Sequence, residues 1–192
     1  LFKTTSLFLL FSVWGITSFF LKSETLPSPL LVFLKLKIDI SDGTLLYHLI
    51  ITLRRVLISF LVAMLIGVTL GILMGNNKKI NSLLDNWNII FLNIPALVLI
   101  ILSYVWFGLT ELAAIIAVSL NKIPNVVVTI REGAKAVDRQ LLEVADIFKI
   151  NRLKKFTLFY LPQLYPYLIA SARGGISLIW KIVLVVELLG RS

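Results

Sequence analysis

Long apolar runs alternate along this chain with short polar stretches that carry most of its charge. The first run, residues 4–21, lies between Lys3 and Lys22. A mixed stretch follows at 23–55, where Pro27 and Pro29 mark an extended turn region. Within it, residues 45–55 read as an amphipathic lead-in to a second run at 56–75, closed by Asn76-Asn77-Lys78-Lys79. A third run covers 87–107 and carries Pro95; the turn Gly108-Leu109 leads to a fourth at 110–130. Eleven charged residues then fall between Arg131 and Lys155, and a fifth run covers 163–189. A helix needs about 20 apolar residues to cross a bilayer. The pattern therefore predicts an all-α, polytopic bundle of five spans, with residues 1–192 forming one transmembrane domain and 131–162 a water-facing loop.

Composition agrees. The chain is 58% hydrophobic and 15% charged, with mean hydropathy +0.95, where soluble domains are about 45–50% apolar and about 25% charged. A net charge of +9 in a soluble protein would suggest nucleic acid, but here Lys and Arg gather at span ends, where anionic lipid and topology favour them. No nucleic-acid motif is present, so the lipid bilayer is the expected partner and nucleic acid is not. Without cysteine the chain has no disulfide, thiolate metal site or cysteine nucleophile. With the N-terminus inside, ten Lys and Arg face the inner side and five the outer, which puts the charged segment in the cytoplasm. Lys22-Ser23-Glu24 offers no small-residue cleavage site, so the first run is expected to be a retained span. The chain starts at Leu1 and stops at Gly190-Arg191-Ser192 directly after an apolar run, so both ends are expected to be cut and a further span to follow.

Three features carry candidate chemistry. Ala63, Gly67, Gly71 and Gly75 recur every four residues in the second span, a spacing that lets another helix approach closely. In the charged segment Val137, Leu141, Val144, Ala145 and Phe148 form an apolar stripe, with Arg139, Gln140, Glu143, Asp146 and Lys149 off it and Asp138 placed as N-cap. That describes a short amphipathic helix, lying either on the membrane surface or against a partner. On the fifth span Arg173, Ser177, Trp180 and Glu187 fall within about 40° of one direction, and Lys181 about 80° away. This face either lines a pathway, where Arg173 attracts an anion, or has its charges at the two interfaces. Lys122 and Pro124 lie inside the fourth span, where Lys122 is expected to snorkel or line a cavity and Pro124 to permit a kink. His48 reads as a surface residue, and Trp87 and Trp106 as anchors at the two ends of the third span.

Order within the charged segment is more specific. Glu143-Val144-Ala145, three residues, Lys149, nine residues, Phe159, one residue and Leu161-Pro162 resembles the EAA loop of ABC-transporter permeases. That pattern reads Glu-Ala-Ala, three residues, Gly, nine residues, Ile, one residue, Leu-Pro. Glu143, Ala145, Leu161 and Pro162 match; Val144 and Phe159 depart mildly, and Lys149 stands where a glycine ends the helix. Asn151 is the expected substitute for the left-handed turn. Leu26-Pro27-Ser28-Pro29, Leu53-Arg54-Arg55-Val56, Asn93-Ile94-Pro95-Ala96, Trp106-Phe107-Gly108, Ala172-Arg173 and Val185-Val186-Glu187-Leu188-Leu189 are similar to permeases of the nitrate/sulfonate/taurine type.

The resemblance implies a permease subunit of an importer in a prokaryotic plasma (inner) membrane, with no catalytic residue, no metal and no cofactor of its own. A cytoplasmic ATP-binding subunit would use ATP, a second permease subunit would complete the pathway, expected as a homodimer, and an extracytoplasmic solute-binding protein would deliver solute. The helix 143–149 would seat in the ATPase, Glu143 by polar contact and Ala145 by close approach. Two other classes were weighed: an ion-coupled secondary transporter, which needs intramembrane carboxylates or broken helices, and a membrane-embedded enzyme, which gathers several His, Asp or Glu at one face. One histidine and ten acids argue against the enzyme, and Glu187 alone weakly supports the ion-coupled class.

Overall fold

The structure, a computed structural model, describes residues 2–21 and 25–190, with side chains from residue 4 onward. The flanking Lys3 and Lys22 side chains, Ser23-Glu24 and Arg191-Ser192, on which the expectations about flanks, leader and ends rest, lie outside the described residues. Every regular element among the described residues is helical, as the apolar pattern predicts. The chain divides after Ile51 into two units.

In the first unit α1 (Phe2–Leu21) is the expected first span. The segment after it folds back, Trp14 Nε1 donating to the Pro27 carbonyl at 3.1 Å and Ser18 Oγ to the Leu26 carbonyl at 2.9 Å. The extended turn ends there. Residues beyond it form α2 (Pro29–Ser41), a helix that the mixed pattern concealed. Its start is a capping arrangement: Ser28 Oγ accepts from Leu31 N–H at 3.3 Å, and Pro29 opens the first turn, where its missing N–H costs nothing. Lys35 Nζ bonds Asp39 Oδ1 at 2.8 Å, which raises the lysine pKa.

Residues 45–55 are not a separate lead-in. They belong to α3 (Thr44–Asn76), one helix of 33 residues, since nothing between Thr44 and Gly67 breaks a helix. His48 is exposed, its ring edge-on to Tyr47 at 5.4 Å.

The third run is not one straight span either. It falls in α4 (Lys78–Asn93) and α5 (Ala96–Phe107), bent by 97°. The cause is Pro95, which has no N–H to donate and forces Ile94 out of the helical region, to φ −74° and ψ 123°. Trp87 therefore sits mid-way along α4 and only Trp106 lies near the end of α5. Among the described residues four helices are long and apolar enough to cross a membrane, or five spans if the bent pair counts as one. The remaining elements are α6 (Glu111–Lys135), α7 (Arg139–Ile147), α8 (Arg152–Lys155) and α9 (Leu161–Gly190).

In the second unit α4, α5 and α9 all pack on α6, and α3 meets it through glycine. A Cβ on Gly67 would stand 2.6 Å from Val126 Cβ, and one on Gly71 2.7 Å from Ile130 Cβ; one on Gly75 would strike Ala134. The partners advance in step, so α3 and α6 run parallel with backbones in near contact. Gly133 meets Tyr167 and Gly175 meets Lys122, so α9 runs antiparallel to α6. Two apolar clusters result. One joins Val56, Ile100, Ala117, Ile179 and Val183; the other, toward α7, joins Val126, Ile130, Tyr160 and Leu164. The small-residue stripe is thus a packing seam within the bundle. Gly71→Val should destabilise the purified protein by about 1–3 kcal/mol, read as a lower unfolding midpoint. Gly174→Ala, with nothing within 4 Å of the added carbon, should leave the midpoint in place.

Candidate functional site

The charged segment folds as a short rigid lever across the ends of α3, α6 and α9. Asp138 caps α7, Oδ1 accepting from Gln140 N–H at 2.8 Å, and its own N–H donates to Gln163 Oε1 at 2.8 Å on α9. The expected stripe splits between two faces. Val137 and Ala145 are buried, Ala145 completely, and Leu142 joins the apolar cluster beneath. Leu141, Val144 and Phe148 point outward with Ile147, which is 76% exposed. Glu143 is exposed beside them. Ala145 was expected to let a partner approach closely; its methyl is instead consumed by the chain's own packing, leaving the outer face to Glu143, Val144, Ile147 and Phe148.

Lys149 itself takes the left-handed turn, at φ 49°. Ile150 N–H donates to the Ala145 carbonyl at 3.0 Å and Lys149 N–H to that of Asp146 at 2.9 Å, the paired bonds of a Schellman motif. Asn151, expected in that role, has φ −57° and caps α8 through Leu153 N–H. The two helix ends need different conformations, and the Schellman hydrogen bonds fix the left-handed one two residues earlier. Lys155 Nζ then reaches Asp146 Oδ2 at 2.5 Å and clasps α8 to α7.

Leu161 and Pro162 stand in the first turn of α9 rather than in a loop. Pro162 cannot donate to the carbonyl four residues back, and the backbone answers with a π-turn over Phe156–Tyr160, in which Leu161 N–H reaches back five residues to Phe156. Tyr160 closes the lever onto α3, accepting from Asn76 Nδ2 at 2.7 Å. Arg131 ties α6 to α4 through Asp85 and Asn81.

At the opposite end a charge cluster joins three helices. Arg55 of α3 grips Glu111 of α6 through Nε and Nη2 at 3.0 and 2.8 Å, and Glu187 of α9 through Nη1 at 2.7 Å. Thr52 Oγ1 donates to the same Glu187 carboxylate at 2.9 Å. Sequence reading missed Arg55 as the shared partner of Glu111 and Glu187, because 56 and 132 residues separate it from them. The polarity of the span ends was the only signal.

Of the suggested pathway face, Arg173 and Ser177 are exposed, while Glu187 is half-buried and engaged by Arg55. Trp180 packs on the apolar cluster. The structure therefore does not bring Glu187 together with Arg173. Lys122 does not snorkel: it is 5% exposed.

The described residues thus form a helical bundle with four or five candidate membrane spans and a capped amphipathic helix at one end. Residues 67–192 match the family described as binding-protein-dependent transport system inner membrane component, and the chain belongs to it. The Bacillus subtilis (strain 168) protein SsuC, named provisionally as an aliphatic sulfonates transport permease, is 29% identical over 170 residues, 88% of this chain and 62% of SsuC. The Escherichia coli (strain K12) taurine transport system permease protein TauC is 26% identical over 151 residues, 79% of this chain and 55% of TauC. The bicarbonate transport system permease protein CmpB of Synechococcus elongatus is 26% identical over 147 residues, 77% of this chain and 53% of CmpB. The chain thus spans less than two thirds of the length of each of these relatives. They are permeases, not enzymes.

Two outcomes test the geometry. Lys149→Gly should stabilise the α7–α8 turn by about 0.5–1 kcal/mol, because glycine enters the left-handed region without a Cβ clash; slower hydrogen exchange at Phe148, Lys149 and Ile150 would register it. Arg55→Met should lower the unfolding midpoint, and a double-mutant cycle with Glu187→Gln should return a coupling of about 1–3 kcal/mol. Additive effects would mean that the ion pair does not hold α3 to α9.

Proposed function

We propose that this chain is the pathway-forming permease subunit of an ATP-driven importer for a small solute with an anionic oxygen-bearing group, of the sulfonate, taurine, nitrate or bicarbonate class. It sits in the plasma membrane of a prokaryote, pairs with a second permease subunit, and receives solute from an extracytoplasmic binding protein. It binds no cofactor itself; ATP is used by a cytoplasmic ATPase that holds α7. The sulfonate, taurine and bicarbonate permeases among the relatives support the solute class. The observation that carries the coupling is the outward face of α7, where Glu143, Val144, Ile147 and Phe148 stand exposed on a helix whose start is held to α9 by Gln163, while the π-turn that follows bonds α3 through Tyr160.

A pinned helix with an apolar outer face transmits displacement instead of absorbing it. Closure of an ATPase pair would move α7, and the Schellman turn, the Asp146–Lys155 clasp and the π-turn would pass that movement to α9. The bundle would then shift between inward- and outward-facing states. Glu143 offers an acceptor for donors in the ATPase groove.

Cross-linking tests this directly. Ile147→Cys, on the exposed side of α7, is expected to capture a soluble nucleotide-binding ATPase in native membranes. Capture of lipid alone, with the ATPase present, would make α7 a surface helix and remove the coupling. Glu143→Lys should cut ATP-dependent uptake at least about tenfold, as expected when a buried charge contact is reversed, with the amount of protein in the membrane unchanged.

A further inference from the structure

We propose that Lys122 is the anion-binding group of the permeation pathway, holding one small monovalent oxyanion among α3, α6 and α9. The proposal rests on the anionic-solute reading above and names the side chain that would carry it.

Lys122 lies within a span, is 5% exposed, and makes no hydrogen bond or ion pair among the described residues. Its stem crosses to α9 at Gly175, where a Cβ would come within 3.0 Å of Cε and 3.7 Å of Nζ. The lysine stem therefore packs closely on the bare backbone of Gly175, with the Phe60 ring against the same notch at 3.4 Å. Beside Phe60 on α3, the Ser59 hydroxyl is buried with no partner among the described residues. Ser119, one turn before Lys122 on the same face of α6, donates to the Ser59 carbonyl at 3.3 Å.

These residues fill one layer. The apolar cluster around Val56, Val118 and Ile179 ends on one side of it, and that around Val126, Ile130 and Leu164 begins on the other. The acids that could have neutralised the lysine from the far end, Glu111 and Glu187, are both taken by Arg55.

An unpaired ammonium in a membrane interior is costly, and such groups mark ion and substrate paths. One ammonium balances one negative charge, and its three N–H donors with a neighbouring serine hydroxyl match the several acceptor oxygens of an oxyanion. Two residues on, Pro124 has no N–H for the Leu120 carbonyl, which weakens α6 beside the layer and gives the seam a place to open. The lysine would then gain its counter-charge when the solute enters between the two apolar clusters.

The test uses the whole importer complex in lipid nanodiscs and proteoliposomes, with nitrate, bicarbonate and ethanesulfonate as probes. Uptake identifies which probe is carried, and the rise in unfolding midpoint with its concentration, without ATP, reports binding. For a carried probe, Lys122→Met should raise the half-maximal concentration at least about thirtyfold, the cost of removing one partner of a buried charge pair. Lys122→Arg should stay within about threefold, since it keeps the charge, and Ser59→Ala should weaken binding several-fold.

Equal protection of wild type and Lys122→Met by a carried anion would overturn the role of Lys122 and leave the importer reading standing. If the complex takes up none of the three anions while Ile147→Cys still captures the ATPase, the anionic-solute reading falls and this proposal with it. A Lys122→Met complex that loses its second permease subunit but keeps its anion affinity would make Lys122 an assembly contact, which also overturns it. Should Lys122→Met fail to assemble, Ser59→Ala decides: weaker binding supports the site, and unchanged binding removes it.

Discussion

The second unit depends on the close parallel approach of α3 to α6. In lipid the hydrophobic effect does not drive helices together, so packing must hold them, and packing is strongest where backbones nearly touch. Gly67, Gly71 and Gly75 provide that approach against Val126, Ile130 and Ala134. With α3 fixed on one side of α6 and α9 antiparallel on another, Arg55 arrives between Glu111 and Glu187 at one end. Asn76 arrives at Tyr160 at the other. Both contacts follow from the register of that seam.

Charge within the spans is handled by position. At one end Arg55 lies between Glu111 and Glu187, Arg54 also reaches Glu111 at 3.5 Å and Thr52 donates to Glu187, so two cations face two acids. At the α7 end Arg131 is held by Asp85 and Asn81. Lys122, between the two apolar clusters, is the buried cation without a partner among the described residues; Arg173 and Lys181 of α9 also lack one but stand exposed. At Gly175 Lys122 shares its notch with the Phe60 ring, and neither residue gives it a counter-charge. A buried cation without a counter-charge among the described residues concentrates the electrostatic field around it.

The α7 end is built for stiffness. Proline at 162 and lysine at 149 are both awkward residues for a simple helix–turn–helix. The backbone accommodates the first with a π-turn and the second with a left-handed turn closed by two hydrogen bonds. Side-chain bonds from Asp138, Asp146 and Tyr160 then remove the remaining freedom. The chain belongs to a family of inner-membrane components of binding-protein-dependent transport systems.

What the sequence determined by itself was whatever depends on local order and periodicity. Apolar length marked the spans of α1, α6 and α9, the i+3 and i+4 spacing marked α7 and its Asp138 cap, and the four-residue repeat of small side chains marked the seam. The spacing from Glu143 to Pro162 identified the family. The capping signal at Ser28-Pro29 and the break at Ile94-Pro95 were also legible, but alternation of charge in α2 and the apolar run across Pro95 masked them. Tertiary structure alone decided which face of α7 is buried, because an amphipathic stripe does not say whether its apolar side turns to the chain or to a partner. It alone paired Glu187 with Arg55 and left Lys122 unpaired. Those outcomes depend on contacts between helices far apart in sequence, and no local pattern carries the register that brings such side chains together.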